Sequence, residues 1–93
     1  MKASAIVSEI EEIVASQTDG VDSKWRIGTA NDAGDSKIEH GNPDSWRDWD
    51  AITEDAEKVE SYFVDKGMRS EGVGFGDPDY VYIFYSGSPQ EKF

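Results

Sequence analysis

Tyr80-Val81-Tyr82-Ile83-Phe84-Tyr85 decides the fold. Aromatic and β-branched residues fill the run without a polar break, the pattern of a strand that is apolar on both faces and central in its sheet. Side chains alternate along a strand, so Tyr80, Tyr82 and Phe84 share one face and Val81 and Ile83 the other. Both faces then need a covering layer. Upstream, Trp25-Arg26-Ile27-Gly28-Thr29 also alternates. Trp25 and Ile27 are expected in the core and Arg26 on the opposite side, with this strand paired to residues 80–85.

Two helices supply the first layer. Ile6, Val7, Ile10, Ile13 and Val14 recur at the spacing of one helical face, with Ser8, Glu9, Glu11 and Glu12 opposite, which predicts a helix over 4–16. A second helix is predicted over 54–66. Thr53 stands at its N-cap position, Glu54 and Asp55 in its first turn, and Ala56, Val59, Tyr62 and Phe63 form its stripe. Gly67 ends it in the left-handed conformation.

The remaining segments are shorter. Asn31 to Asp35 is a turn cluster, and Ser36 to His40 one helical turn that Gly41 stops. Residues 42–52 admit two readings: a short helix capped by Asn42-Pro43, or a strand within Trp46–Ile52. Gly72 to Asp79 is a flexible connector, and residues 86–93 have the composition of a disordered tail. The expected fold is a single α+β domain over 1–93, a small three-stranded antiparallel sheet with two or three helices packed mainly on one face.

A chain of 93 residues builds one modest core, burying roughly 60–65% of the surface it exposes when unfolded. With 37% hydrophobic and 12% aromatic residues it is too apolar to stay disordered, despite a formal charge of −11. That charge repels a phosphate backbone, so generic nucleic-acid binding is disfavoured. It fits a solvated acidic surface, adaptation to a salt-rich interior, or mimicry of nucleic-acid phosphates toward a basic protein. The absence of cysteine removes disulfides, thiolate metal sites and a cysteine nucleophile. Glu9, Glu11 and Glu12 interrupt the N-terminal apolar residues, unlike a secretory signal, and no stretch is long enough to span a bilayer. A cytoplasmic location without membrane contact is expected.

Arg26-Ile27-Gly28-Thr29-Ala30-Asn31-Asp32, followed by Glu39-His40, resembles the second half of the GIY-YIG endonuclease signature, in which a Tyr-Ile-Gly strand runs through Thr-Asn-Asp into a helix bearing Arg and His. Ala56 to Glu60 is similar to that family's later helix, where an alanine precedes the metal-binding glutamate by four residues. The family's opening strand is missing at the N-terminus, but Tyr80-Val81-Tyr82-Ile83-Phe84 looks like it. The resemblance therefore implies a divergent, circularly permuted domain. Carried over, Tyr82 and His40 match catalytic positions, and Glu60 matches the ligand of a magnesium or manganese ion. Arg26 stands where the family has a tyrosine, and Ser36 where it has an arginine. Arginine does not deprotonate as a general base, and serine does not supply the lost positive charge. The resemblance thus implies lost or weakened cleavage.

Each candidate also has an ordinary structural reading. Glu60, bordered by Ala56, Phe63 and Val64, suits an ion pair or a head group reaching solvent as well as a ligand. His40 beside Gly41 suits a capping or exposed histidine. Tyr80, Tyr82 and Phe84 suit a second packed layer, or a shallow binding site with Arg26 over one ring. Trp46 and Trp49 suit the core better than an exposed patch. Gly67 to Gly76 lacks the Gly-Lys-Ser/Thr and following helix of a phosphate loop. Three functions remain open: a catalytically degenerate binding or regulatory module with a protein partner and no cofactor, an active metal-dependent nuclease, and an acidic nucleic-acid mimic.

Overall fold

The computed structural model describes residues 1–71 and 78–86. Helix α1 is Ala3–Thr18, strand β1 Trp25–Ala30, helix α2 Ala33–Glu39, strand β2 Arg47–Asp50, helix α3 Thr53–Asp65, strand β3 Arg69–Ser70 and strand β4 Tyr80–Tyr85. A short 3₁₀ turn at Asp22–Lys24 leads into β1. The strands form one sheet in the order β2-β4-β1-β3. As expected, β4 is central and pairs antiparallel with β1, from Trp25 opposite Tyr85 to Ala30 opposite Tyr80.

The α+β class holds, but among the described residues the sheet has four strands and is mixed. The fourth is β3, which runs parallel to β1 with Arg26 opposite Arg69 and Ile27 opposite Ser70. Its two residues are exposed and polar, so no apolar alternation marks it in the sequence. The strand reading of residues 42–52 is the one adopted, as β2 paired with β4.

Helices α1 and α3 cover one face of the sheet. Ile6, Ile10 and Val14 of α1 and Ala56, Val59 and Phe63 of α3 pack with Trp25, Ile27, Trp49, Val81 and Ile83. Fully burying each large side chain contributes about 1.5–3 kcal/mol. All three indole N–H groups find acceptors: Trp25 donates to Thr18 Oγ1, Trp46 to Asp48 and Trp49 to Glu9. The helices are not confined to that face, because α2 and its following loop lie over the other. There Ala30, Trp46, Tyr82 and Phe84 form a second buried cluster.

Capping departs from expectation at two places. Thr53 is the first helical residue rather than the cap, and its hydroxyl donates to the Pro78 carbonyl at 3.0 Å, fastening α3 to the entry of β4. Helix α2 starts three residues earlier than predicted because Asp32 caps it, accepting from the Asp35 amide at 3.0 Å. Gly67 follows α3 with φ of 116°, as the left-handed ending requires. Ser86, assigned to the tail, is bound to the Lys24 carbonyl through its amide at 2.9 Å. The rest of the predicted tail, 87–93, and most of the predicted connector, 72–77, lie outside the described residues.

Candidate functional site

The α2 face of the sheet collects Arg26, Gly28 and Ala30 from β1 with Tyr82 and Phe84 from β4. Alternation puts them there, because Trp25, Ile27, Val81 and Ile83 take the other face. His40, at the end of α2, lies over this surface with ring centroids 5.1 Å from Phe84, 5.5 Å from Tyr82 and 6.1 Å from Trp46. Its Nδ1 meets the Ser36 carbonyl at 2.7 Å and its Nε2 meets Glu71 Oε1 at 2.9 Å. Both neighbours are acceptors, so the two contacts are donated together only by the doubly protonated ring.

Glu71 is the hub of the site. Its other carboxylate oxygen accepts from Arg26, and its backbone amide donates to the Ile27 carbonyl at 2.9 Å. With only 14% of its side chain exposed, the carboxylate is held between the Arg26 guanidinium and the His40 imidazole. Arg26 makes no cation–π contact among the described residues; the contact of that kind is instead Lys66 over Tyr62.

Tyr82 is buried beneath this network. Trp46 stacks on it at 4.4 Å and 14°, so its ring is closed to a ligand from that side. Its hydroxyl lies over Gly28, where a Cβ would come within 2.4 Å of the oxygen. The absence of a side chain at Gly28 therefore makes the position of Tyr82 possible. Burial pushes the phenol up to about 12, helped by the negative charges of Glu71, Glu60 and Glu39. Such a group stays protonated and serves poorly as a general base near neutral pH.

Of the residues singled out in the sequence, the structure brings Arg26, His40 and Tyr82 together. Glu60 is not in direct contact with them. It projects from α3, on the opposite side of the sheet, and accepts from the Ser70 hydroxyl at 3.2 Å. Partial burial raises its pKa, opposed by the Ser70 hydrogen bond and reinforced by the charge of Glu57. Tyr80 is also apart, since it pairs with Ala30 at the end of β1 away from Arg26. It lines an open hollow of about 400 Å³ with Met1, Asp50, Ala51, Ile52 and Asp79. Among the described residues no group of three or more His, Cys, Asp or Glu side chains is placed to hold a metal ion.

Glu71 and Arg69 were not foreseen as part of this site. Their only sequence signal is the alternation Arg69, Ser70, Glu71, which puts the two charged residues on one face once β3 is known to be a strand. No described helix is long and apolar enough to cross a membrane. Compared with protein-family models, curated proteins and solved structures, the chain has no match.

Proposed function

We propose that this domain is a binding or regulatory module, a catalytically degenerate relative of the GIY-YIG nucleases that acts on a protein partner. The observation that carries this reading is the double engagement of Glu71. Arg26 and His40, the side chains that would meet a scissile phosphate, are both engaged by an internal carboxylate. Tyr82, its phenol raised to about 12, is a weak candidate for activating water, and Glu60 contacts Ser70 on the far side of the sheet. The catalytic roles are thus dispersed or neutralised, while the scaffold that held them stays packed.

A second reading rests on the charge distribution. Exposed carboxylates occur on α1, α2, α3 and β2, among them Glu12, Glu39, Asp48, Asp50, Glu54 and Glu57. Ion pairs among the described residues engage only Glu11, Glu54 and Glu71. Such a surface suits a mimic of nucleic-acid phosphates that occupies a basic protein.

The deciding experiment is cleavage of labelled single- and double-stranded DNA and RNA with magnesium or manganese at low salt. No turnover is expected. Cleavage by the wild type that Glu60→Ala abolishes would overturn the proposal in favour of a metal-dependent nuclease using Tyr82, His40 and Glu60. If cleavage is absent, capture of basic nucleic-acid-binding proteins that nucleic acid then displaces would favour the mimic.

A further inference from the structure

Two of the chain's three arginines stand side by side in a protein of net charge −11. Arg26 of β1 and Arg69 of β3 are register partners on adjacent parallel strands. Register partners share a face, and Arg26 marks that face as the one carrying His40 and Glu71. Like charges placed opposite each other in a sheet are destabilising. Glu71 answers only part of this charge. Its two oxygens serve Arg26 and His40, and Arg69 has no ion pair among the described residues.

A third donor adjoins the pair. Tyr82 is 3% exposed, and its hydroxyl makes no hydrogen bond among the described residues, although a buried phenol normally has a partner. That hydroxyl lies over Gly28, the next residue after Arg26 on the same face of β1. Register partners on neighbouring strands have backbones about 4.8 Å apart, so two long arginine side chains rising from one face are able to converge on one compact anion, and planar guanidinium forks favour bidentate contacts with its oxygens. Glu71 orients Arg26 through one nitrogen, and the other guanidinium N–H groups have no acceptor among the described residues.

We propose that Arg26 and Arg69, with the Tyr82 hydroxyl behind them, form a binding site for a small tetrahedral oxyanion such as phosphate or a phosphate monoester. Size sets the ligand class. At physiological ionic strength charges farther than about 8 Å are largely screened, so a small anion responds chiefly to Arg26, Arg69, His40 and Glu71. A nucleic-acid strand extends beyond that distance and meets the acidic surfaces of α1, α2 and α3. The site does not depend on whether the acidic surface engages a protein.

The test is titration of the ¹⁵N-labelled protein with inorganic phosphate at constant ionic strength, following the arginine Nε–H signals and the amides of residues 26, 69 and 71. Saturable shifts are expected at Arg26 and Arg69. Arg69→Gln should weaken binding by about tenfold or more, the loss of a charge-assisted contact, while Arg47→Gln, remote on β2, should leave it unchanged. Since Arg69 is exposed, its replacement should not unfold the domain. Because Arg26 also supports Glu71, the Arg26→Gln result is read only if its amide spectrum remains dispersed. Shifts that do not saturate, or equal affinities for Arg69→Gln, Arg47→Gln and wild type, would overturn the site. Adenosine monophosphate binding no more tightly than inorganic phosphate would show that the anionic group alone is recognised, and tighter binding would identify a monoester as the preferred source.

Discussion

Replacing Gly28 by alanine tests how the second layer is built. A Cβ at this position would stand 2.4 Å from the Tyr82 hydroxyl oxygen, 2.5 Å from Cζ and 3.0 Å from Cε2. The nearest approach is about 1 Å inside ordinary van der Waals contact. The ring has little room to withdraw, since Tyr82 is 3% exposed and is stacked on Trp46 at 4.4 Å. In an unstrained strand the same change would gain roughly 0.5–1 kcal/mol by restricting the unfolded chain. Overpacking a filled site typically costs about 1–3 kcal/mol, so the net effect should be destabilising by about 1–2 kcal/mol. With a urea dependence near 1 kcal/mol/M, the low end for small domains, the midpoint should fall by about 1–2 M. Near-ultraviolet circular dichroism should also change, because Trp46 and Tyr82 must separate. Combining Gly28→Ala with Tyr82→Leu, which removes the clashing ring, should cost less than the two single changes added together. An unchanged or raised midpoint for Gly28→Ala would refute the argument that Tyr82 is seated by the missing side chain.

The other predictions concern backbone strain and protonation. Gly67→Val should destabilise the domain by at least about 1 kcal/mol in urea unfolding, because φ of 116° is hostile to a β-branched residue even though the surrounding space is open. Stability should fall as pH rises from 10 to about 12, because the folded domain still holds the Tyr82 proton that the unfolded chain has released. The loss is at most about 3 kcal/mol, and Tyr82→Phe should show a flatter dependence across that window. Glu60→Gln should raise the urea midpoint at pH 7 but not at pH 3. Burial raises the carboxyl's pKa, so the stability of its protonated form is lost as pH climbs through the folded value. A lower midpoint for Glu60→Gln at pH 7 would show instead that the charge has a stabilising partner.

The sequence by itself determined the elements whose burial pattern is periodic. Helices α1 and α3 are written in Ile6, Ile10 and Val14 and in Ala56, Val59 and Phe63, and the central strand in residues 80–85, because one apolar face must repeat at the period of its backbone. Gly67 was legible for a related reason, since the backbone conformation it adopts strongly favours glycine. Tertiary structure decided what depends on distant partners. Strand β3 exists because the chain leaving α3 falls beside β1, and two exposed residues carry no pattern that predicts this. Residues 42–52 were ambiguous until β4 offered an edge to pair with, after which Trp46 went to one layer and Trp49 to the other. The candidate site divided in the same way. Arg26, His40 and Tyr82 could be chosen by residue type, but Glu71 lies 45 residues from Arg26 and 31 from His40, and only folding brings its carboxylate between them. Glu60 shares a helix with core residues whichever way the sheet is assembled, so sequence spacing alone did not reveal that it would reach Ser70 on the opposite side from His40.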